Sequence, residues 1–307
     1  MYKTFADLLQ KKAGQARQKK MAVVAADQHS VEAAEAAARD GLVMPLYIGD
    51  CTAIQAYLTD LGQDPAERQI LAAEDLAQAA RMGVDLVASG QASFLMKGKL
   101  DTAILLKEVV RKDSGLATGR RMSHFGLFEL PGYHKLVSIV DGGMNTYPDL
   151  EVKQEIIENT VTTLQALGYT EVKVGVLACI EKVNPKMPET LEADALKQRA
   201  LRGELQGCLV EGPISYDCAM SKEIADYKGF QSPCAGDCDV LVAPNIHAAN
   251  ILAKALTVTA GAKFSGFIVG AACPIVLTSR GSSAEEKYLS IALAALACPE
   301  ACPGTTA

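Results

Sequence analysis

The chain has 307 residues, 49% apolar and 21% charged, with a formal net charge of −6. That is the balance of a globular protein long enough for two domains of roughly 100–200 residues each, and it excludes a disordered chain and a basic nucleic-acid binder. Trp is absent and aromatics make up 5%, which argues against base-stacking platforms. No apolar run approaches the roughly 20 residues of a membrane span. Lys19 and Lys20 precede an apolar run at 21–26, but Asp27 ends it after six residues. This is too short for a signal-peptide core and reads as a first strand. The nine Cys are scattered without framework spacing, which fits reduced thiols and a cytoplasmic location. Cys298 and Cys302 lack His partners, so no metal site is expected there.

The elements alternate along the chain. After the strand at 21–26, Ser30 is read as the cap of a helix to Arg39. A strand at 43–48, helices at 52–61 and 76–88, a strand at 92–96 and a helix at 102–110 follow. Strands at 123–130 and 136–140, split by Pro131-Gly132, predict an antiparallel pair. Alternation then resumes, with helices at 150–167, 190–202, 218–227 and 248–256 between strands at 172–178, 208–211 and 240–243. A long strand at 267–277 and a helix at 284–297 close the chain. This order predicts an α/β fold, two α/β/α domains with mostly parallel sheets. The domains are expected at 1–124 plus 278–307 and at 125–277, the break falling at the antiparallel interruption.

The G-x-G-x-x-G, P-loop, H-E-x-x-H and G-x-S-x-G signatures are all missing. Ligands of open α/β sheets bind beyond the carboxyl ends of strands. The polar residues there are Lys97 and Lys99, Arg120, Arg121, Ser123 and His124, Asp141 and Asn145, Glu181 and Asn184, Ser215 and Asp217, then Thr278, Ser279, Arg280, Ser282 and Ser283. Basic, amide and hydroxyl groups dominate, as a phosphate-type ligand requires. Plainer readings stand beside this one. Lys97 and Lys99 also read as solvated loop lysines, His124 as a packed histidine, Asp217 as a helix cap, and Ser282 or Ser283 as an N-cap. No Cys lies in a motif with a base, so none is expected to be a nucleophile.

Several blocks stand out together along the chain: Leu95–Gly98, Thr118-Gly119 with Met122–His124, Asn145–Pro148, Glu181 with Val183–Pro188, and Gly212-Pro213 with Asp217. Ala235-Gly236 with Asp239, Pro244–Ile246 with Asn250, Val276–Arg280 and Ser290–Leu296 continue them. Together these blocks resemble the phosphate acyltransferase family, its butyryl branch most closely. The resemblance implies two domains with a cleft between them, similar to the isocitrate and isopropylmalate dehydrogenase fold, and a homo-oligomer built on dimers. It implies the reaction acyl-CoA plus phosphate giving acyl phosphate plus CoA, with no metal, no cofactor and no acyl-enzyme. Ser279, Arg280 and Glu286 are then the expected catalytic residues, Glu286 matching an acid of the acetyl branch that the butyryl branch does not keep. Lys97, Ser123, Asn145 and Asp217 are the expected substrate-binding residues. His247 stands where the family usually has Glu, Ala249 where it has Gly, and Gly142-Gly143 is less bulky than usual. Two alternatives stay open: a non-catalytic phosphate or acyl-CoA binding protein, and a metal-dependent decarboxylating dehydrogenase on the same fold.

Overall fold

The computed structural model describes residues 2–13, 18–279 and 281–299. Arg280 and residues 300–307, with Cys302, lie outside the described residues. The chain forms two compact units, one of Met1–Leu8 with Arg121–Phe264, the other of Leu9–Arg120 with the chain from Ser265 onward. The first helix, α1 (Phe5–Ala13), was not legible as an element. Its N-terminal half belongs to the first unit, where Phe5 and Leu8 are buried and the Phe5 N–H donates to Glu129.

The Leu9–Arg120 unit holds the strands β1 (Lys19–Val24), β2 (Val43–Gly49), β3 (Gln69–Ala72) and β4 (Phe94–Lys97). The returning chain adds β10 (Lys263–Val269) and β11 (Ile275–Val276). Their order is β3-β2-β1-β4-β11-β10. All neighbours are parallel except β10 and β11. Met21 to Val24 and Phe94 to Met96 are fully buried, as continuous apolar runs in a sheet covered on both faces should be. The covering helices are α2 (Gln28–Arg39), α3 (Cys51–Asp60), α4 (Leu76–Ala88), α5 (Thr102–Val109) and α11 (Ala284–Ala297), with α11 packed on α2.

The other unit orders its strands β5-β6-β9-β7-β8. These are β5 (Ser123–Glu129), β6 (Val137–Val140), β7 (Val172–Leu177), β8 (Cys208–Ile214) and β9 (Val240–Val242). β5 and β6 form the expected antiparallel pair and the rest are parallel. The helices are α6 (Leu150–Ala166), α7 (Pro188–Leu201), α8 (Tyr216–Met220), α9 (Lys222–Tyr227) and α10 (Ile246–Thr259). Its core gathers Phe128, Ile139, Ile214 and Leu241 with the thiols of Cys218, Cys234 and Cys238.

Four expectations need correction. Asp27, not Ser30, caps α2; Ser30 sits three residues on and completes a reciprocal capping box. The strand expected at 267–277 is two strands folded back on each other, because Pro274 has no ladder N–H and Ala272 N–H bonds to Leu116 O instead. The helix expected at 218–227 breaks at Ser221, whose extended backbone lets its hydroxyl cap α9. The edge strand β3 was missed because its half-exposed residues carry no apolar alternation. No described helix is long and apolar enough to cross a membrane.

Candidate active site

In the Leu9–Arg120 unit, the carboxyl ends of the neighbouring strands β1, β4 and β11 open on a cavity of about 510 Å3. Lys97, Lys99, Thr278, Ser279 and Lys287 line it, with the start of α2. The chain leaves β4 pressed against the end of β1: Gly98 N–H donates to Val24 O at 2.8 Å and Lys99 N–H to Ala25 O at 2.8 Å. A Cβ on Gly98 would collide with the Ala25 carbonyl, so only Gly allows this turn. Lys97 Nζ donates to the carbonyls of Gly98 and Leu100 at 3.2 and 3.0 Å, which holds the ammonium at the strand end.

Beyond β11 the hydroxyls form a chain. Ser279 N–H donates to Ser282 Oγ at 3.1 Å, and the two Oγ atoms lie 3.0 Å apart. Ser282 Oγ donates to Glu286 Oε1 at 2.5 Å. One hydroxyl has one proton, so Ser282, donating to the carboxylate, accepts from Ser279. The direction is therefore Ser279 to Ser282 to Glu286. Ser283 is the cap of α11, accepting from Glu286 N–H at 3.1 Å, while Lys287 donates to Ser282 O at 2.7 Å. Ser279 is exposed, Ser282 buried and Glu286 half-buried, so the chain runs inward from an open end. Ser282 was read only as a possible cap; its role depends on a rotamer that no spacing reveals.

In the other unit, Asp141 organises the turn after β6. Its buried carboxylate accepts from the N–H groups of Gly143, Met144 and Asn145 at 2.8, 2.9 and 3.3 Å and from Asn145 Nδ2 at 2.7 Å. Asn145 also donates to Met122 O at 3.0 Å, so its amide is fixed. Ser123 is buried and accepts from Asn159 at 3.1 Å. Ala249 is buried on α10, while His247 is exposed beside the Tyr147 ring at 5.7 Å.

Asp217 is not a cap; the cap position of α8 is Ser215, and Asp217 lies in the first turn. Its carboxylate accepts from Ser215 Oγ at 2.5 Å and Cys218 N–H at 3.0 Å and pairs with Lys228 at 2.9 Å. The Ser215 hydroxyl first, and then Lys228, hold its pKa down at about 2. Glu181 lies against the same Ser215 hydroxyl, whose single proton serves one carboxylate at a time, and pairs with Lys228; its carboxyl too is held below the ordinary range, Ser215 being the larger cause. Glu181, Asp217 and Cys218 are the one three-ligand group among the described residues, and Lys228 already sits between its two carboxylates. Lys228 follows a short helix in a polar turn and carries no sequence signal that would pair it with residues 11 and 47 positions away.

Residues 67–295 match the family described as phosphate acetyl/butaryl transferase. The chain belongs to this family. It is 38% identical over 296 residues to the phosphate butyryltransferase of Clostridium acetobutylicum, covering 96% of this chain and 98% of that one. It is 41% identical over 279 residues to the phosphate acetyltransferase of Thermotoga maritima, covering 91% and 95%. The crystal structure of a branched-chain phosphotransacylase from Enterococcus faecalis V583 superposes with a TM-score of 0.80 at 31% identity, covering 91% of this chain and 99% of that one. The chain is thus a transferase of the phosphate acyltransferase kind, with the mixed α/β fold that its sequence predicts.

Proposed function

We propose that the protein moves a short acyl group, butyryl foremost, between coenzyme A and inorganic phosphate. The observation that carries the mechanism is the chain from Ser279 through Ser282 to Glu286, opening on a lysine-lined cavity at strand ends. A free thiol has a pKa near 8.5 and is a few per cent thiolate at neutral pH, so a proton acceptor speeds its attack. Toward acyl-CoA, the sulfur attacks the acyl-phosphate carbonyl carbon. The thiol proton passes to Ser279 Oγ, the Ser279 proton to Ser282, and the Ser282 proton to Glu286. The new C–S bond forms, the C–O bond to the phosphoryl group breaks, and phosphate leaves with the electron pair. Every step reverses toward acyl phosphate.

Lys97 and Arg280 supply positive charge for the phosphoryl oxygens, and Arg280 acts mainly in the transition state, where that charge grows. Ser123, Asn145 and Asp217 stay as candidates for substrate binding, Ser123 foremost because its hydroxyl accepts from Asn159 and keeps its own proton to donate; Asn145 spends both amide protons on Met122 O and Asp141 and offers only its Oδ1, and the charge of Asp217 is already met by Ser215 and Lys228. Coenzyme A and phosphate are substrates, and the mechanism uses no resident cofactor or metal. The family resemblance supports a homo-oligomer, and the scattered thiols, all eight described ones free, support a cytoplasmic setting. The test is thiol release from acetyl-, propionyl-, butyryl- and branched acyl-CoA with and without phosphate. Phosphate-dependent release, fastest with butyryl-CoA, is expected. Equal release without phosphate would reveal a thioesterase and end the proposal.

A further inference from the structure

Three lysines are buried among the described residues: Lys135, Lys153 and Lys287. A buried ammonium is costly unless an anion answers its charge. Lys135 lies 2.8 Å from Asp237 and 2.7 Å from Asp239, and Lys153 pairs with Glu192. Lys287 is 9% exposed and has no carboxylate partner among the described residues. Its Nζ donates only to the Ser282 carbonyl, at 2.7 Å. An ammonium has three donors, so two remain. Glu286, its neighbour in the chain, turns its Oε1 to the Ser282 hydroxyl instead.

What the fold leaves unanswered faces a cavity. Lys287 lines the opening at the ends of β1, β4 and β11, together with Ser279, Lys97 and Lys99. All of these residues belong to the Leu9–Arg120 unit and the chain that returns to it. Ser282 ties Lys287 to the proton chain: its carbonyl holds the ammonium, and its hydroxyl accepts from Ser279. Two carboxylates also line the cavity, those of Asp27 and Asp101. Asp27 is committed to the start of α2, where it accepts from Ser30 N–H at 3.1 Å. Neither pairs with Lys287.

We infer that Lys287 is a substrate-binding residue that holds inorganic phosphate, and in the reverse direction the phosphoryl end of acyl phosphate, through its two remaining N–H donors. The inference rests on the acyl-transfer reading above. Of the groups that reaction brings together, the acyl chain and the thiol are neutral in the ground state and leave a buried ammonium unanswered. Phosphate is charged throughout and accepts several hydrogen bonds at once. Coenzyme A has phosphates of its own, but its pantetheine arm sets them far from the thiol. Lys287 is tied to the Ser279 chain, where the thiol reacts. Lysine binds phosphate as a point charge, so a short cation held at one carbonyl serves without a planar fork.

Lys287→Met keeps an unbranched stem and removes the charge. The first readout needs no turnover: melting temperature is followed against inorganic phosphate at constant ionic strength, with chloride as the balancing anion. Wild-type melting should rise with phosphate. The Met variant should need about tenfold to a hundredfold more phosphate for the same rise, the range for one charge-assisted hydrogen bond. In thiol release from butyryl-CoA, the KM for phosphate should rise by a similar factor while that for butyryl-CoA stays within about twofold. A wild-type melting temperature that phosphate leaves unmoved overturns the inference, and so does a variant that responds as wild type does. A KM raised for butyryl-CoA and not for phosphate gives the lysine to the phosphates of coenzyme A and contradicts the assignment. A variant that only melts lower, with both KM values unchanged, marks Lys287 as a brace of the helix start and overturns it as well. A crystal structure of the unaltered protein with inorganic phosphate does not depend on variants folding. A phosphate oxygen is expected about 2.7–2.9 Å from Lys287 Nζ, and an anion bound away from it contradicts the inference. Wild-type thiol release with and without phosphate reports on acyl transfer itself, so the failure of that reading is seen separately from the melting comparison.

Discussion

Asp217 and His124 belong to the same unit, and its strands and turns treat them in opposite ways. Asp217 receives a hydroxyl, a backbone N–H and an ammonium, and its negative charge is met by the protein itself. His124 is clamped as firmly, yet its Nδ1 has no partner. A polar group whose bonds are complete within the fold reports chiefly on the fold. A buried polar atom left without a partner, as Nδ1 is, carries a cost that the packing of the fold does not repay. The same contrast recurs in the other unit. Ser283 spends its hydroxyl on the first turn of α11, and Ser282 joins a chain that ends at an exposed hydroxyl.

The sharpest way to break this contrast is to remove a group assigned wholly to the ligand. Arg280→Ala is expected to lower kcat by about 10²–10³ while the melting temperature stays put, and Arg280→Lys should restore little because Lys lacks the planar fork. Measuring both quantities on one sample decides it. A full-rate Arg280→Ala enzyme would remove the main transition-state group from the mechanism.

Ser282 and Ser283 give a neighbouring pair with opposite expectations. Ser282→Ala cuts the chain between Ser279 and Glu286 and should lower kcat by about tenfold or more, as loss of a proton path does. Ser283→Ala should cost about 1 kcal/mol of stability through the lost cap and leave kcat near normal. If the two variants behave alike, the chain is only part of the helix start.

The smallest effect concerns the saturated cluster. Asp217 titrates lower in the folded protein, at about 2, than its ordinary value of 3.8. Its contribution to stability is therefore full above the unfolded value and is lost as pH falls through the folded one. Lys228→Met should cause a slight drop in melting temperature at neutral pH, since both groups reach solvent and their pairing is screened. The difference from wild type should shrink as the pH falls from about 4 to about 2. A Lys228→Met enzyme that instead lost turnover with unchanged melting would move this cluster to the ligand side of the contrast.

Much of the fold was legible wherever apolar runs were long and bounded. The strand pair around Pro131-Gly132 and the helix Ala284–Ala297 stand where the pattern puts them. The pattern failed where an element is short or half-exposed, as at Gln69–Ala72, or where one residue interrupts an apolar stretch, as Pro274 and Ser221 do. The strand-end rule led to Lys97 and Ser279, which line one cavity, because it needs only order along the chain. Partnerships were not legible. Glu181 and Lys228 meet across 47 positions, and the empty hydrogen bond of His124 is a property of packing, invisible in a string of residues.

The central claim is direct acyl exchange between thiol and phosphate, and its closest test follows both products in one tube. Butyryl-CoA and phosphate are mixed with the enzyme, free thiol is titrated, and butyryl phosphate is followed by 31P NMR. The account predicts thiol and acyl phosphate appearing in equal amounts, and no thiol when phosphate is left out. Thiol released with free butyrate and no acyl phosphate would contradict it.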